Sequence, residues 1–134
     1  MSEIKRINPT QLADTSDYGF TQVITVPSGS ELVYIAGQGG ADENGNYGSF
    51  AEQMECAFAS LQIALSAVGA SPKDVVKITI LSVEHNEEKL KLISAKRKSF
   101  WNEHKPASTL IPVPRLASDG MLFEIDAIAT IGNS

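Results

Sequence analysis

Two carboxylates two residues apart, Glu124 and Asp126, stand out near the end of the 134-residue chain. In the run 122–129 the side chains alternate. Phe123, Ile125, Ala127 and Ala129 point one way, and Leu122, Glu124, Asp126 and Ile128 the other, which is the period of a β-strand. Carboxylates on an otherwise apolar face are costly unless that face meets a polar cavity or a partner's donors. A carboxylate so placed can orient or deprotonate a water molecule. Ser108 and Thr109 follow Pro106-Ala107 in a second strand-like run, 106–115. If Ser118-Asp119-Gly120 turns the chain into a hairpin, Glu124 comes near Ser108 and Thr109. The candidate site is placed there.

The run Gly37-Gln38-Gly39-Gly40 is a second candidate: glycines let a ligand approach the backbone, and Gln38 offers a polar handle. The alternative is a bend that turns the chain toward a helix. Its spacing matches no phosphate-binding glycine motif. Asp42-Glu43-Asn44-Gly45-Asn46 lacks the ligand spacing and closing glutamate of a calcium loop, so no metal and no cofactor are expected. Cys56 reads as a small packed side chain rather than a nucleophile. His85 and His104 sit in polar stretches near helix ends and read as solvent residues.

Several elements must position these residues. Residues 20–26 (FTQVITV) and 31–36 (ELVYIA), joined by Pro27-Ser28-Gly29-Ser30, read as a hairpin. Residues 49–68 form the clearest helix. Ser49 and Glu52 make a capping box, and Gly69 is a natural stop. Its apolar stripe is Phe50, Met54, Ala57, Phe58, Leu61, Leu65 and Val68. Residues 75–83 (VVKITILSV) form a strand that is apolar on both faces. Asn86 caps a second helix, with Glu87 and Glu88 in its first turn and a stripe of Leu90, Ile93, Arg97 and Phe100/Trp101. Lys89, Lys91, Lys96 and Lys98 make its solvated face. Pro112 and Pro114 restrict the run 110–115 to an edge or irregular strand.

The length indicates one domain spanning 1–134, and 43% hydrophobic with 20% charged residues is ordinary globular usage. A net charge of −5 argues against a nucleic-acid surface. A single cysteine fits a reducing, cytoplasmic setting, and no run of apolar residues is long enough to span a membrane. Strands, helix, strand, helix, strands suggest an α+β domain, its two helices covering one face of a six-stranded mixed sheet. The other face is also apolar, with no third helix to cover it, so self-association is expected.

The segments YIAGQGG, GASPKDVVKITI, PASTLIPVPRL and FEIDAIA resemble the YjgF/RidA family of reactive intermediate imine deaminases over nearly the whole chain. The resemblance implies a chorismate-mutase-like fold and a homotrimer whose sheets form a central barrel. It also implies that small ligands bind in the clefts between subunits. The best-known members hydrolyse 2-imino acids to 2-oxo acids and ammonium. In those members Pro-Ala is followed by an arginine that holds the substrate carboxylate; here that place is Ser108. The family's pocket tyrosine corresponds to Phe20 and the serine before Gly-Gln to Ala36. Glu124 is retained in the place of the water-positioning acid. Arg115 stands elsewhere in the pattern, and no other arginine lies in the segments expected to form the site. The expected substrate-binding set is therefore Phe20, Gly37, Gln38, Ser108, Thr109 and Leu110, with Glu124 as the catalytic acid.

Three activities follow from the resemblance. One is hydrolysis of an imine, enamine or related metabolite other than the usual 2-imino acid. The second is non-catalytic small-molecule binding by a regulatory trimer. The third is the endoribonuclease activity ascribed to some relatives, which the acidic balance disfavours.

Overall fold

A computed structural model of the chain describes residues 3–132. Six strands and two helices follow in the order β1 (Lys5–Ile7), β2 (Val23–Thr25), β3 (Glu31–Gly39), α1 (Phe50–Ala67), β4 (Val75–Val83), α2 (Glu87–Trp101), β5 (Ala107–Val113) and β6 (Phe123–Ile131). The α+β architecture is as expected, with both helices on one face of a mixed sheet. The strands nevertheless divide into a two-stranded ribbon, β1-β2, and a four-stranded sheet in the order β3-β6-β4-β5. One parallel bridge, Thr21 to Ala107, joins the residues before β2 to the outer edge of β5. Pro112 lies in β5 and has no N–H, which is consistent with the ladder on that edge not running on.

Neither expected hairpin forms. β2 pairs with β1, and β3 pairs antiparallel with β6. β5 and β6 are separated by β4, which is parallel to β5 and antiparallel to β6. Parallel strands need a crossover, and α2 supplies it between β4 and β5. The path β3-α1-β4 is likewise a crossover between parallel strands, with β6 inserted between them. Both crossovers step in the same direction across the sheet, so a common hand puts both helices on one face.

Helix α1 begins as its sequence dictates. Ser49 Oγ accepts from Glu52 N at 3.2 Å, and Glu52 Oε1 accepts from Ser49 N at 2.9 Å. These bonds favour the ionised carboxyl of Glu52 and hold it below its usual range. The helix ends at Gly69, φ +75°, with Ala70 N donating to Leu65 O at 2.9 Å. Phe50, Met54, Ala57, Phe58, Leu61 and Leu65 are buried as expected, while Val68 is 45% exposed because the helix has already ended. Helix α2 is capped by Asn86, whose Oδ1 accepts from Lys89 N at 2.8 Å. Two lysines of its expected solvated face turn inward instead. Lys89 Nζ donates to Val83 O at 2.6 Å, and Lys96 Nζ pairs with Glu55 at 2.7 Å. The long apolar stems allow it.

The core lies between the helices and one sheet face, with Ile78 and Ile80 of β4 and Phe123, Ile125, Ala127 and Ala129 of β6 buried in it. Gly40 shows how close the layers are. A Cβ built there would overlap the backbone of Gln53 in α1. Because helix backbone cannot give way as a side-chain tip can, Gly40→Ala is expected to destabilise by about 1–3 kcal/mol in chemical denaturation. An unchanged midpoint would show that α1 can retreat from β3.

The opposite sheet face is open. Leu32 and Tyr34 of β3, Leu81 of β4, Ile111 of β5 and Ile128 of β6 lie on it, and Tyr34 is 72% exposed. No helix among the described residues is long and apolar enough to cross a membrane.

Candidate functional site

Glu124 lies on the open face near the start of β6, level with Leu81 of β4 and Gly39 of β3. Strand β3 bulges between Ile35 and Gln38, and Gly37 lies in the bulge. A Cβ at Gly37 would strike the Glu124 carboxylate and stand 2.7 Å from its Cδ. Glycine here lets the carboxylate lie close, without an unusual φ; a larger residue would push the Glu124 side chain aside. The bulge and the missing side chain form a seat in which the carboxylate lies against the β3 backbone. Among the described residues no hydrogen bond or ion pair engages the half-buried Glu124 side chain, so its oxygens are free to accept from water or a ligand. Gln38 is less available, because its Nε2 donates to Ala36 O at 3.0 Å. Asp126 is exposed, and its Oδ1 accepts from Thr79 N at 3.2 Å.

The register of β6 is fixed from beneath by a residue the sequence reading passed over. Gln53 of α1 is fully buried. Its Oε1 accepts from Leu122 N at 2.8 Å, and its Nε2 donates to Gly120 O at 2.9 Å and Gly48 O at 3.0 Å. The strut holds the chain just before Glu124 against the helix. A signal was available: Gln53 is three residues after Phe50 and four before Ala57, on the apolar stripe, where a polar group must find partners.

Ser108 and Glu124 do not meet in one protomer. Ser108 is level with Ala127 through Ile78, whereas Glu124 is level with Ile111 through Leu81. Two strand spacings, roughly 9–10 Å, and three residues along the strand separate them. They also face opposite ways, Ser108 toward the helices and Glu124 to the open face. Thr109 shares the open face but lies level with Asp126, and its Oγ1 accepts from Lys77 Nζ at 2.7 Å. Leu110 packs against the core.

What Ser108 does meet is Arg97. Arg97 Nη1 donates to Ser108 Oγ at 3.0 Å, Nε donates to Tyr18 O at 2.8 Å, and the guanidinium carbon lies 5.1 Å from the centroid of the Phe20 ring. The segments expected to form the site carry no arginine besides Arg115; the guanidinium beside Ser108 comes from α2, which was not among them. The loop carrying Phe20 is built onto it. Gly19, φ +81°, sits where a Cβ would stand 2.7 Å from Arg97 Cβ. Thr15 Oγ1 donates to Phe20 O at 2.6 Å, and Thr21 N donates to Pro106 O at 2.9 Å. Arg97 is 2% exposed, and burial lowers its pKa to about 10, with no carboxylate acting against that shift. Arg115, by contrast, binds its own loop through Leu116 O at 3.0 Å and pairs with Asp119 at 3.2 Å.

A depression beside the start of α1, lined by Gly40, Asp42, Glu52, Glu55 and Cys56 among others, includes neither Glu124 nor Ser108 in its lining. Asp42 Oδ1 is engaged by Asn44 N and Asn46 N of its own loop, each at 2.9 Å. No group of three metal-ligating side chains occurs among the described residues. His85 is not a simple solvent residue, since Nδ1 lies 2.9 Å from the buried Ser82 Oγ.

The family model described as "Endoribonuclease L-PSP" matches residues 13–131. The chain belongs to this family, the YjgF/RidA family. A RutC family protein of Pyrococcus abyssi is 31% identical over 113 residues, covering 82% of this chain and 84% of the relative. A 2-iminobutanoate/2-iminopropanoate deaminase of Rattus norvegicus is 28% identical over 134 residues, covering 98% and 93%. Among solved structures, a Rid-family protein of unknown function from Yersinia pestis superposes with a TM-score of 0.89 at 31% identity, covering 96% of this chain and 98% of that one. The likeness to the Yersinia pestis structure extends over nearly the whole fold.

Proposed function

We propose that the chain is a RidA-like hydrolase that converts a small imine or enamine to a carbonyl compound and ammonia. The Glu124 carboxylate, seated at Gly37 without a hydrogen-bond partner among the described residues, is the observation that carries this reading. In the reaction, an enamine first tautomerises to the imine; Glu124 then accepts one proton from water as the oxygen adds to the C=N carbon and returns it to the nitrogen. The adduct's hydroxyl gives its remaining proton to the nitrogen as C=O forms and the C–N bond breaks, releasing ammonia. The deaminase name of the rat relative supports the same chemistry.

A substrate a few atoms long cannot touch both Glu124 and the Ser108 cluster of one protomer. The resemblance implies a cleft between subunits, in which Glu124 of one copy would face the β5 edge of another, where Ser108 and Phe20 lie. The exposed Leu32, Tyr34 and Ile111 favour such docking. Analytical ultracentrifugation is expected to give a trimer of three times 14.4 kDa. A stable, well-folded monomer would remove the shared cleft.

The activity test couples an imine-generating pyridoxal-phosphate enzyme to a readout of released carbonyl product. Acceleration above the spontaneous rate is the expected result. No acceleration with charged or uncharged imines would leave the ligand-binding reading in its place, which the replacement of polar pocket groups by Phe20 and Ala36 favours. An RNA substrate is disfavoured by the net charge of −5.

A further inference from the structure

We propose that Met121 is the specificity-determining residue beside Glu124 and selects an apolar substituent on the carbon under attack, a role that rests on the hydrolase reading for the reaction but not for the binding. The backbone around Met121 is held from both sides. Gln53 Oε1 accepts from Leu122 N at 2.8 Å and Gln53 Nε2 donates to Gly120 O at 2.9 Å, so one buried amide grips both neighbours. Met121 N itself donates to Ser118 O at 3.2 Å. With the backbone so fixed, only the side chain's own rotamers are left to choose. The tip has a seat as well. A Cβ built at Gly39 would stand 2.9 Å from Met121 Cε. Gly39 is paired with Glu124, and residues opposite each other in an antiparallel ladder share a face. Two residues earlier, Gly37 receives the Glu124 carboxylate in the same manner. The two glycines thus hold an acid and a thioether methyl side by side, on seats roughly 6–7 Å apart along β3.

Leu81 of β4 flanks Glu124 on the other side. A molecule a few atoms long, with its reacting carbon at Glu124, therefore sets a substituent against an apolar wall. Met121 is half-buried, so the thioether can be reached from the open face. Methionine is unbranched and polarizable and adapts to chains of different length. A charged or hydroxylated substituent would give up water there for no better partner than a weak thioether acceptor. The substrate of the proposed hydrolysis is accordingly an imine or enamine whose reacting carbon bears an alkyl or similar apolar group.

Spectra of the protein labelled with methyl-13C methionine test the binding without turnover. The chain has three methionines, Met1, Met54 and Met121, and the Met121 signal is the one missing from Met121→Gln. On addition of 2-pentanone this signal is expected to shift while that of the buried Met54 stays. The isosteric 4-hydroxy-2-butanone should bind about 5- to 20-fold more weakly. For turnover, an amino-acid oxidase supplies the imines of alanine and norvaline, and kcat/KM should favour the longer chain about tenfold or more. Met121→Gln should cut that preference to less than about threefold. Gly39→Ala should do the same with Met121 still in the chain, because the new methyl displaces the flexible Met121 tip and does not come within 4 Å of Glu124. A preference unchanged in either variant, each shown to be folded, or a Met121 signal that neither ketone moves, would overturn the proposal. A shifting Met121 signal without turnover of any imine would retain the apolar wall and discard the hydrolase. Turnover with an unmoved Met121 signal would do the reverse.

Discussion

Glu124→Gln is expected to lower the rate of imine hydrolysis by about 10²- to 10⁴-fold while leaving the fold and ligand binding nearly intact. The amide has the size of the carboxylate and fits the space that Gly37 leaves. It cannot take a proton from water at neutral pH. No hydrogen bond among the described residues is lost, so stability should stay within about 0.5 kcal/mol of wild type. The loss should fall on kcat rather than KM, because the proton transfer belongs to the transition state. A rate within threefold of wild type would dismiss Glu124 as the base. Collapse of binding together with kcat would make it a binding group instead.

Which residues form each element was legible because local physics sets it. Ser49 and Glu52 announce the start of α1, Gly69 its end, and the alternation from Leu122 to Ala129 the two faces of β6. Strand partners are not local. A strand's alternation says which side chains share a face but not which strand lies beside it, so the sequence suggests hairpins between adjacent strand-like runs. The two parallel crossovers instead place β6 between β3 and β4 and place β4 between β6 and β5. That error carried into the site, since Ser108 and Glu124 were brought together by a hairpin that does not form.

The site residues divide in the same way. Gly37 and Glu124 were both singled out, but their contact passes across the β3-β6 pair, which the sequence does not announce. Arg97 lies on the apolar stripe of α2, between Ile93 and Trp101, where the periodicity alone reads it as packing. An arginine on a buried stripe must be compensated, which asks what accepts from it. The answer needed the third dimension, because Ser108 is brought to Arg97 by the turn from α2 into β5, and Tyr18 and Phe20 come from far earlier in the chain. Gln53 is the polar counterpart on α1, a buried amide whose partners lie in loops that no periodicity describes.

Phe58→Ala should cost about 3–5 kcal/mol, a large share of the stability of a domain this size. Phe58 is 1% exposed and joins three elements. From α1 it packs edge-on against Phe100 and Trp101 of α2, with ring centroids 5.1 and 5.7 Å away, and lies 6.1 Å from Phe123 of β6 at a tilt of 31°. Lys96 Nζ sits 5.5 Å from the ring centroid, held near it by its pair with Glu55. Truncation removes the apolar burial, leaves a cavity, and strips the aromatic neighbours of their edge contacts. The rings that surround the gap are rigid and the helices are tied at both ends, so little of the cavity can close. The loss should also reach function, because Trp101 lies one helical turn after Arg97 and Phe123 lies directly before Glu124. Urea denaturation of the two proteins under identical conditions checks the magnitude. A difference under about 1 kcal/mol would mean that the α1-α2-β6 junction does not carry the core.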